Sequence, residues 1–181
     1  LPPRPTLRAL RPSGPPCDLL ASGAAASAAG FARPPIPVGG GGLIAGIGTA
    51  VKAKRPEVAI IGVEPERAAC LTAALAQDGP ATSGISHTLA DGLAVGQLGD
   101  APFPIVKRVV DRVVTVDEAS IALAILRLIE LEKSVVEGAG AAPLAAFLAG
   151  RLDALKGRKV VLALCGGNID TSALGRIIEV G

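Results

Sequence analysis

Four consecutive glycines, Gly39-Gly40-Gly41-Gly42, lie between the β-like segment Ile36-Pro37-Val38 and a helix-like segment that opens at Leu43. No other stretch restricts the fold so tightly. Without Cβ atoms this backbone can adopt positive φ and approach a ligand closely. Successive N–H groups can then converge on one small volume, and the next helix adds its unpaired first-turn N–H groups and positive dipole end. That combination makes an anion site, most often for phosphate. One or two glycines suffice for a tight strand-to-helix turn, and four weaken both neighbours, so the turn alone does not explain the run.

The 181 residues are enough for one sizeable domain or a large part of a bigger one. Half are apolar but only 2% are aromatic, so the core is built of Ala, Val, Leu and Ile, as suits α/β layers. A net charge of +2 without stacking aromatics gives no footprint for nucleic acid. No apolar run approaches the length of a membrane span. Cys17, Cys70 and Cys165 are an odd count without metal spacing, which fits a reducing, cytoplasmic setting. His87, the only histidine, reads as a surface residue of a polar loop, and a histidine-based metal cluster is excluded.

Residues 1–35 stand apart. Prolines crowd the first 16 positions, and an Ala/Ser/Gly tract runs from Ala21 to Gly30. We read this as an irregular segment outside the fold. Its Arg4, Arg8 and Arg11 precede any acidic residue, so an organelle transit segment is the alternative. The chain has no methionine, even at position 1, and is read as a processed chain or a fragment.

Residues 36–181 alternate strands and helices, predicting a mostly parallel α/β sheet flanked by helices. Strands are expected at Ile36–Val38, Val58–Val63, Arg112–Val116, Val135–Val136 and Lys159–Leu164. Helices are expected over about Leu43–Lys54, Arg67–Gln77, Phe103–Val109, Asp117–Lys133, Glu137–Ala149 and from Asp170 or Thr171 onward. Gly46 and Gly48 are expected to bring the first helix close to the sheet. A long loop, Asp78–Ala101, carries Ala90-Asp91-Gly92, and loops of that length are usually functional. Ligands of such sheets bind beyond the carboxyl ends of the strands. Gly39–Gly42, Glu64–Glu66 and Cys165–Asn168 converge there.

Several chemistries remain open on these residues. Gly40-x-Gly42-x-x-Ala45 satisfies a loose dinucleotide fingerprint, with Glu64 about 20 residues on to hold a ribose, so a Rossmann NAD-binding domain is one reading. Cys165, ending an apolar run, is either a core thiol or a weak neutral donor facing a ring nitrogen. Glu137, before a glycine-rich helix start, is expected to pair with N–H groups. Asp91-Gly92 reads as a turn.

Taken together and in order, Pro37–Gly46, Gly62-Val63-Glu64-Pro65-Glu66, Leu89–Val95, Val136–Gly140 and Leu164–Asp170 resemble one family. It comprises the threonine/serine ammonia-lyases (dehydratases) and serine racemases, pyridoxal-phosphate enzymes of the tryptophan-synthase-β type (fold type II). Ala90-Asp91-Gly92-Leu93-Ala94-Val95 and Asn168-Ile169-Asp170-Thr171 are most similar to the bacterial-type threonine ammonia-lyase branch. The resemblance covers about Pro37 to Gly181. It implies that Gly39, Gly40, Gly41, Gly42 and Leu43 bind the pyridoxal 5'-phosphate phosphate. Cys165 would stand at the pyridine nitrogen, with Gly166 and Asn168 beside it, and Glu137 near the ring. It also implies deamination of L-threonine or L-serine to a 2-oxoacid and ammonia, a small amino-acid substrate, and a homo-oligomer.

Some members bind Mg²⁺ or Ca²⁺ through positions matching Glu64, the Ala68 carbonyl and Cys70. A thiol suits such oxygen-seeking ions poorly, leaving only Glu64 as a candidate ligand. The resemblance places the Schiff-base lysine upstream of the glycine loop. The lysines here are Lys52, Lys54, Lys107, Lys133, Lys156 and Lys159, all downstream of it. The expectation is therefore the C-terminal part of a catalytic domain, inactive alone. The alternative is a non-catalytic cofactor-binding or regulatory fragment.

Overall fold

The computed structural model describes residues 33–158 and 160–180. The irregular segment expected over 1–35 lies outside the described residues except for its last three. Strands β1 (Pro35–Pro37), β2 (Ile60–Pro65) and β3 (Val110–Val116) form one sheet in that order. Both pairings are parallel, Ile36 opposite Gly62 and Val63 opposite Val114. The prolines of β1 have a simple reason. Val38 N–H donates to the Val63 carbonyl and Ile61 N–H to that of Pro34, so alternate residues 34, 36 and 38 face β2. Pro35 and Pro37 then turn their missing N–H groups to the free edge, where a proline costs no ladder bond.

Side chains of β2 alternate between two layers. Ile60 packs with Ile36, Val38 and three helices: α1 (Gly42–Lys54), α2 (Cys70–Gln77) and α3 (Pro102–Val109). Gly62 faces the same layer, where an added Cβ would meet Val38, Ile44 and Leu71 at 3.2–3.3 Å. Ile61 and Val63 face the other layer, with Val114 and Val116 of β3 against α4 (Glu118–Glu132) and α5 (Gly138–Leu148). Burial of each such aliphatic side chain stabilises the fold by about 1.5–3 kcal/mol. All six residues of β2 are buried, as its continuous apolar run requires.

Helix boundaries follow local chemistry. Asp117 caps α4 by accepting from Ser120 N–H at 2.7 Å, and Lys133 ends it in the left-handed region. Pro102 opens α3 and Asp170 Oδ1 caps α6 (Thr171–Val180), accepting from Ser172 N–H at 2.7 Å. Gly48 allows a close approach, since a Cβ there would lie 2.5 Å from Val109 of α3. Gly46 does not contribute: it is exposed and a Cβ there would meet nothing.

Two expected strands are absent. Val135-Val136 and residues 160–164 carry no ladder pairing. Val160, Leu162 and Leu164 rest half-buried on the α4–α5 layer instead. Apolar character suffices to hold this segment on the core, but a strand also needs a neighbour for its backbone, and none of the described residues supplies one. No helix among the described residues is long and apolar enough to cross a membrane.

Candidate functional site

Beyond the carboxyl end of β1 the chain enters the glycine loop. Gly41 is the N-cap of α1 with φ 89°, a left-handed conformation that glycine adopts without steric cost. An added Cβ at Gly41 would also lie 2.7 Å from Leu98 and 3.1 Å from Pro102. One carbonyl of the loop is fastened, since Gly40 O accepts from Gly99 N–H at 3.2 Å. Among the described residues no acceptor engages the first-turn N–H groups of Gly42, Leu43 and Ile44. Cβ atoms at Gly40 and Gly42 would meet nothing within 4 Å, so glycine there serves no packing need of this chain. The space it leaves belongs to a cavity.

That cavity measures about 320 Å³. Gly39 to Leu43 form one wall, Gly92, Leu93 and Ala139 the floor, and Glu137, Cys165 and Gly166 the far side. Among the described residues Glu137 is the one charged residue in this lining, and no lysine borders it. A second cleft of about 220 Å³ lies at the amino-terminal ends of the strands, lined by Arg33, Asp111 and Arg112 among others, and has no glycine loop.

The far side is built by backbone contact. Glu137 N–H donates to the Gly166 carbonyl at 3.1 Å, and Asn168 N–H donates back to Glu137 Oε2 at 3.0 Å. Gly166, at φ 89°, leaves no room for a Cβ beside the Glu137 carboxylate. Cβ atoms at Gly138 and Gly140 would run into the carbonyls of Leu89 and Cys165. The start of α5 is therefore the hub on which loop 89–92 and turn 165–168 are seated. Burial, and secondarily the Glu137 charge, push the Cys165 thiol above its ordinary range. It is a neutral, weakly polar group at neutral pH.

Gly39 to Leu43, Glu137, Cys165 and Gly166 thus share one cavity, and Asn168 is tied to it through Glu137. Gly92, Leu93 and Ala139 join them although the sequence reading named none of these as site residues. The signal was present in the small residues of Ala90-Asp91-Gly92 and Gly138-Ala139-Gly140, which allow backbones to approach.

Glu64 lies elsewhere. It is fully buried and faces α2. Oε1 accepts from Leu71 N–H at 2.6 Å, and Oε2 from Thr72 N–H at 3.0 Å and Thr72 Oγ1 at 2.7 Å. Burial pushes its carboxyl above the usual range against the pull of these donors. All three donors belong to α2, and Glu64 is not part of the cavity lining. Among the described residues no three His, Cys, Asp or Glu side chains cluster as possible metal ligands.

A glycine cradle at a helix N-terminus, opening on a cavity that also holds a neutral thiol, is an arrangement able to accept a phosphate-bearing group. The residues from 35 to 166 match the family model of the pyridoxal-phosphate dependent enzymes, and the chain belongs to that family. Among individual relatives, it is 48% identical over 146 residues to an L-threonine ammonia-lyase of Geobacter sulfurreducens, covering 81% of this chain and 36% of that protein. It superposes with a TM-score of 0.83 and 31% identity on the processed form of threonine deaminase isoform 2 from Solanum lycopersicum, covering 90% of this chain and 48% of that one. Serine racemase from Dictyostelium discoideum follows with a TM-score of 0.73 and 31% identity, covering 80% and 46%. The chain spans less than half the length of each of these relatives.

Proposed function

We propose that this chain supplies the phosphate- and ring-binding half of a pyridoxal-phosphate site that serves deamination of L-threonine or L-serine. The observation that carries the reading is the glycine cradle, which leaves open space at Gly40 and Gly42 and lines one cavity together with Cys165 and Glu137. The L-threonine ammonia-lyase and threonine deaminase similarities support the reaction class.

In this reading the cofactor, when bound, withdraws electrons from the substrate Cα so that its proton and the β-hydroxyl can leave. This chain's residues hold and tune. The N–H groups from Gly40 to Leu43 and the α1 dipole take the phosphate without a cationic side chain. The protonated Cys165 thiol would serve as a neutral partner for the ring nitrogen and would impose no positive charge there. Glu137 fixes the turn bearing that thiol through Asn168 N–H. Among the described residues no lysine borders the cavity, and Glu137 Oε2 already accepts from Asn168 N–H, so we assign uptake of the α-proton to an amine and not to this lining. The amine that does so belongs to a wall outside these residues.

Incubation of the chain with pyridoxal phosphate and L-threonine or L-serine tests the division of labour. Binding without 2-oxoacid formation above the rate of free cofactor is expected. Turnover well above that rate would overturn the claim of inactivity, and preference for NAD(H) over pyridoxal phosphate in parallel titrations would overturn the cofactor. Serine racemisation is the second reading, favoured by the serine racemase similarity. It would appear as D-serine once the missing wall is supplied.

A further inference from the structure

Behind the glycine loop, on the side away from the cavity, lies a buried thiol that the chemistry above does not use. Cys70 is the first residue of α2 and is fully buried. Its Sγ lies 3.3 Å from the Gly39 carbonyl and donates to it. Gly39 opens the cradle. A trans peptide points its C=O and N–H in opposite directions, so fixing the Gly39 carbonyl toward α2 turns the Gly40 N–H away from α2. The next carbonyl, Gly40 O, is held by Gly99 N–H at 3.2 Å.

Cys70 is itself held in place. Glu64 at the end of β2 accepts from both Leu71 and Thr72, the two residues that follow it, so the start of α2 is bound to the sheet. Burial, and next the Glu64 charge, push the Cys70 thiol up to about 11. It therefore remains an S–H donor at neutral pH. A thiolate there would repel the carbonyl.

We propose that Cys70 is a positioning residue for the phosphate loop, an internal S–H clamp that makes the loop independent of a divalent cation. The resemblance implies Mg²⁺ or Ca²⁺ at Glu64, Ala68 and the Cys70 position. Here the carboxylate is engaged by α2, and the third position offers a soft, protonated sulfur where such ions need oxygen. The loop is anchored by a hydrogen bond from inside the fold instead. This rests on the cofactor reading only for what the loop binds, not for how it is held.

Two measurements on the 181-residue chain test it. In the first, thermal unfolding is followed with EDTA and with millimolar Ca²⁺ or Mg²⁺. The Tm of the unaltered chain should not move, whereas Cys70→Asp, which restores an oxygen, should gain several degrees with Ca²⁺. A cation-dependent Tm in the unaltered chain would overturn the proposal. In the second, amide hydrogen exchange at Gly99 reports on the loop. Cys70→Ala should accelerate it about 5-fold, the loss expected for one hydrogen bond. Cys70→Ser, which keeps a donor, should restore it. Equal exchange in the Ala and Ser variants would reduce Cys70 to packing and overturn the clamp. Pyridoxal-phosphate affinity should follow the same order, weakest in Cys70→Ala. If the unaltered chain binds no pyridoxal phosphate, the cofactor reading fails, and the Tm and exchange measurements still decide the clamp.

Discussion

Two apolar segments of the chain take on different structures. Val58-Ala59-Ile60-Ile61-Gly62-Val63 and Val160-Val161-Leu162-Ala163-Leu164 are alike in composition and apolar continuity. The first becomes β2, paired on both sides and buried throughout. The second leads to Cys165 and Gly166 yet pairs with none of the described residues and stays half-buried. A run of apolar residues specifies that a segment lies on a core. Whether it becomes a strand depends on backbone partners that its own residues do not encode. The cavity therefore has one wall led in by β1 of the paired sheet and one wall seated on α5 by hydrogen bonds and close contacts without strand pairing.

The largest expected effect breaks the second wall. Gly140→Val would drive a branched side chain into the Cys165 carbonyl, which is backbone and has no rotamer to yield. Loss of at least about 3 kcal/mol is expected, of the order of severe overpacking. Denaturant unfolding checks this, and a stability within about 1 kcal/mol of the parent would mean that turn 165–168 is not seated on α5.

Truncation at matched positions sharpens the contrast. Ile60→Ala removes a fully buried side chain and should cost about 2–5 kcal/mol. Leu162→Ala, half-buried on an unpaired segment, should cost about 1 kcal/mol, in keeping with the smaller apolar area it withdraws from water. Equal costs by chemical denaturation would show that segment 160–164 is as firmly held as β2.

How much of this was legible in the sequence follows from the same contrast. β2 was legible because continuous burial leaves a continuous apolar run, and α4 because Asp117 caps it locally. The observed β2 nonetheless extends to Glu64 and Pro65, since pairing with Thr115 and Val116 carries it past the last apolar residue. The glycine loop could be read because four glycines have few other uses. The partners of Glu64 were not legible, because Leu71 and Thr72 reach it only after the chain reverses. Gly92, Leu93 and Ala139 were missed for a similar reason. Nothing local to them shows that α5 begins beside loop 89–92, although the Leu89 carbonyl excludes any side chain at Gly138.

A further effect concerns pH on the rigid side. The Cys70 thiol is raised from its ordinary 9.0 to about 11 in the folded chain. Between these values the unfolded chain has already lost the proton that the folded chain keeps. The folded state then binds more protons, so stability falls as pH rises through this window. The contribution is complete below pH 9 and gone above about 11. Comparing urea unfolding at pH 8 and pH 10.5, the parent should lose more stability than Cys70→Ser. Identical losses would mean that Cys70 titrates alike in both states.

The cradle itself is tested most directly by titrating the ¹⁵N-labelled chain with pyridoxal phosphate and following its backbone amides. Shifts should concentrate at Gly40, Gly41, Gly42 and Leu43, extend to Gly166 across the cavity, and disappear in Gly41→Asp, which puts bulk and negative charge into the loop. An unshifted glycine loop, or the same shifts persisting in Gly41→Asp, would contradict a phosphate site at this place.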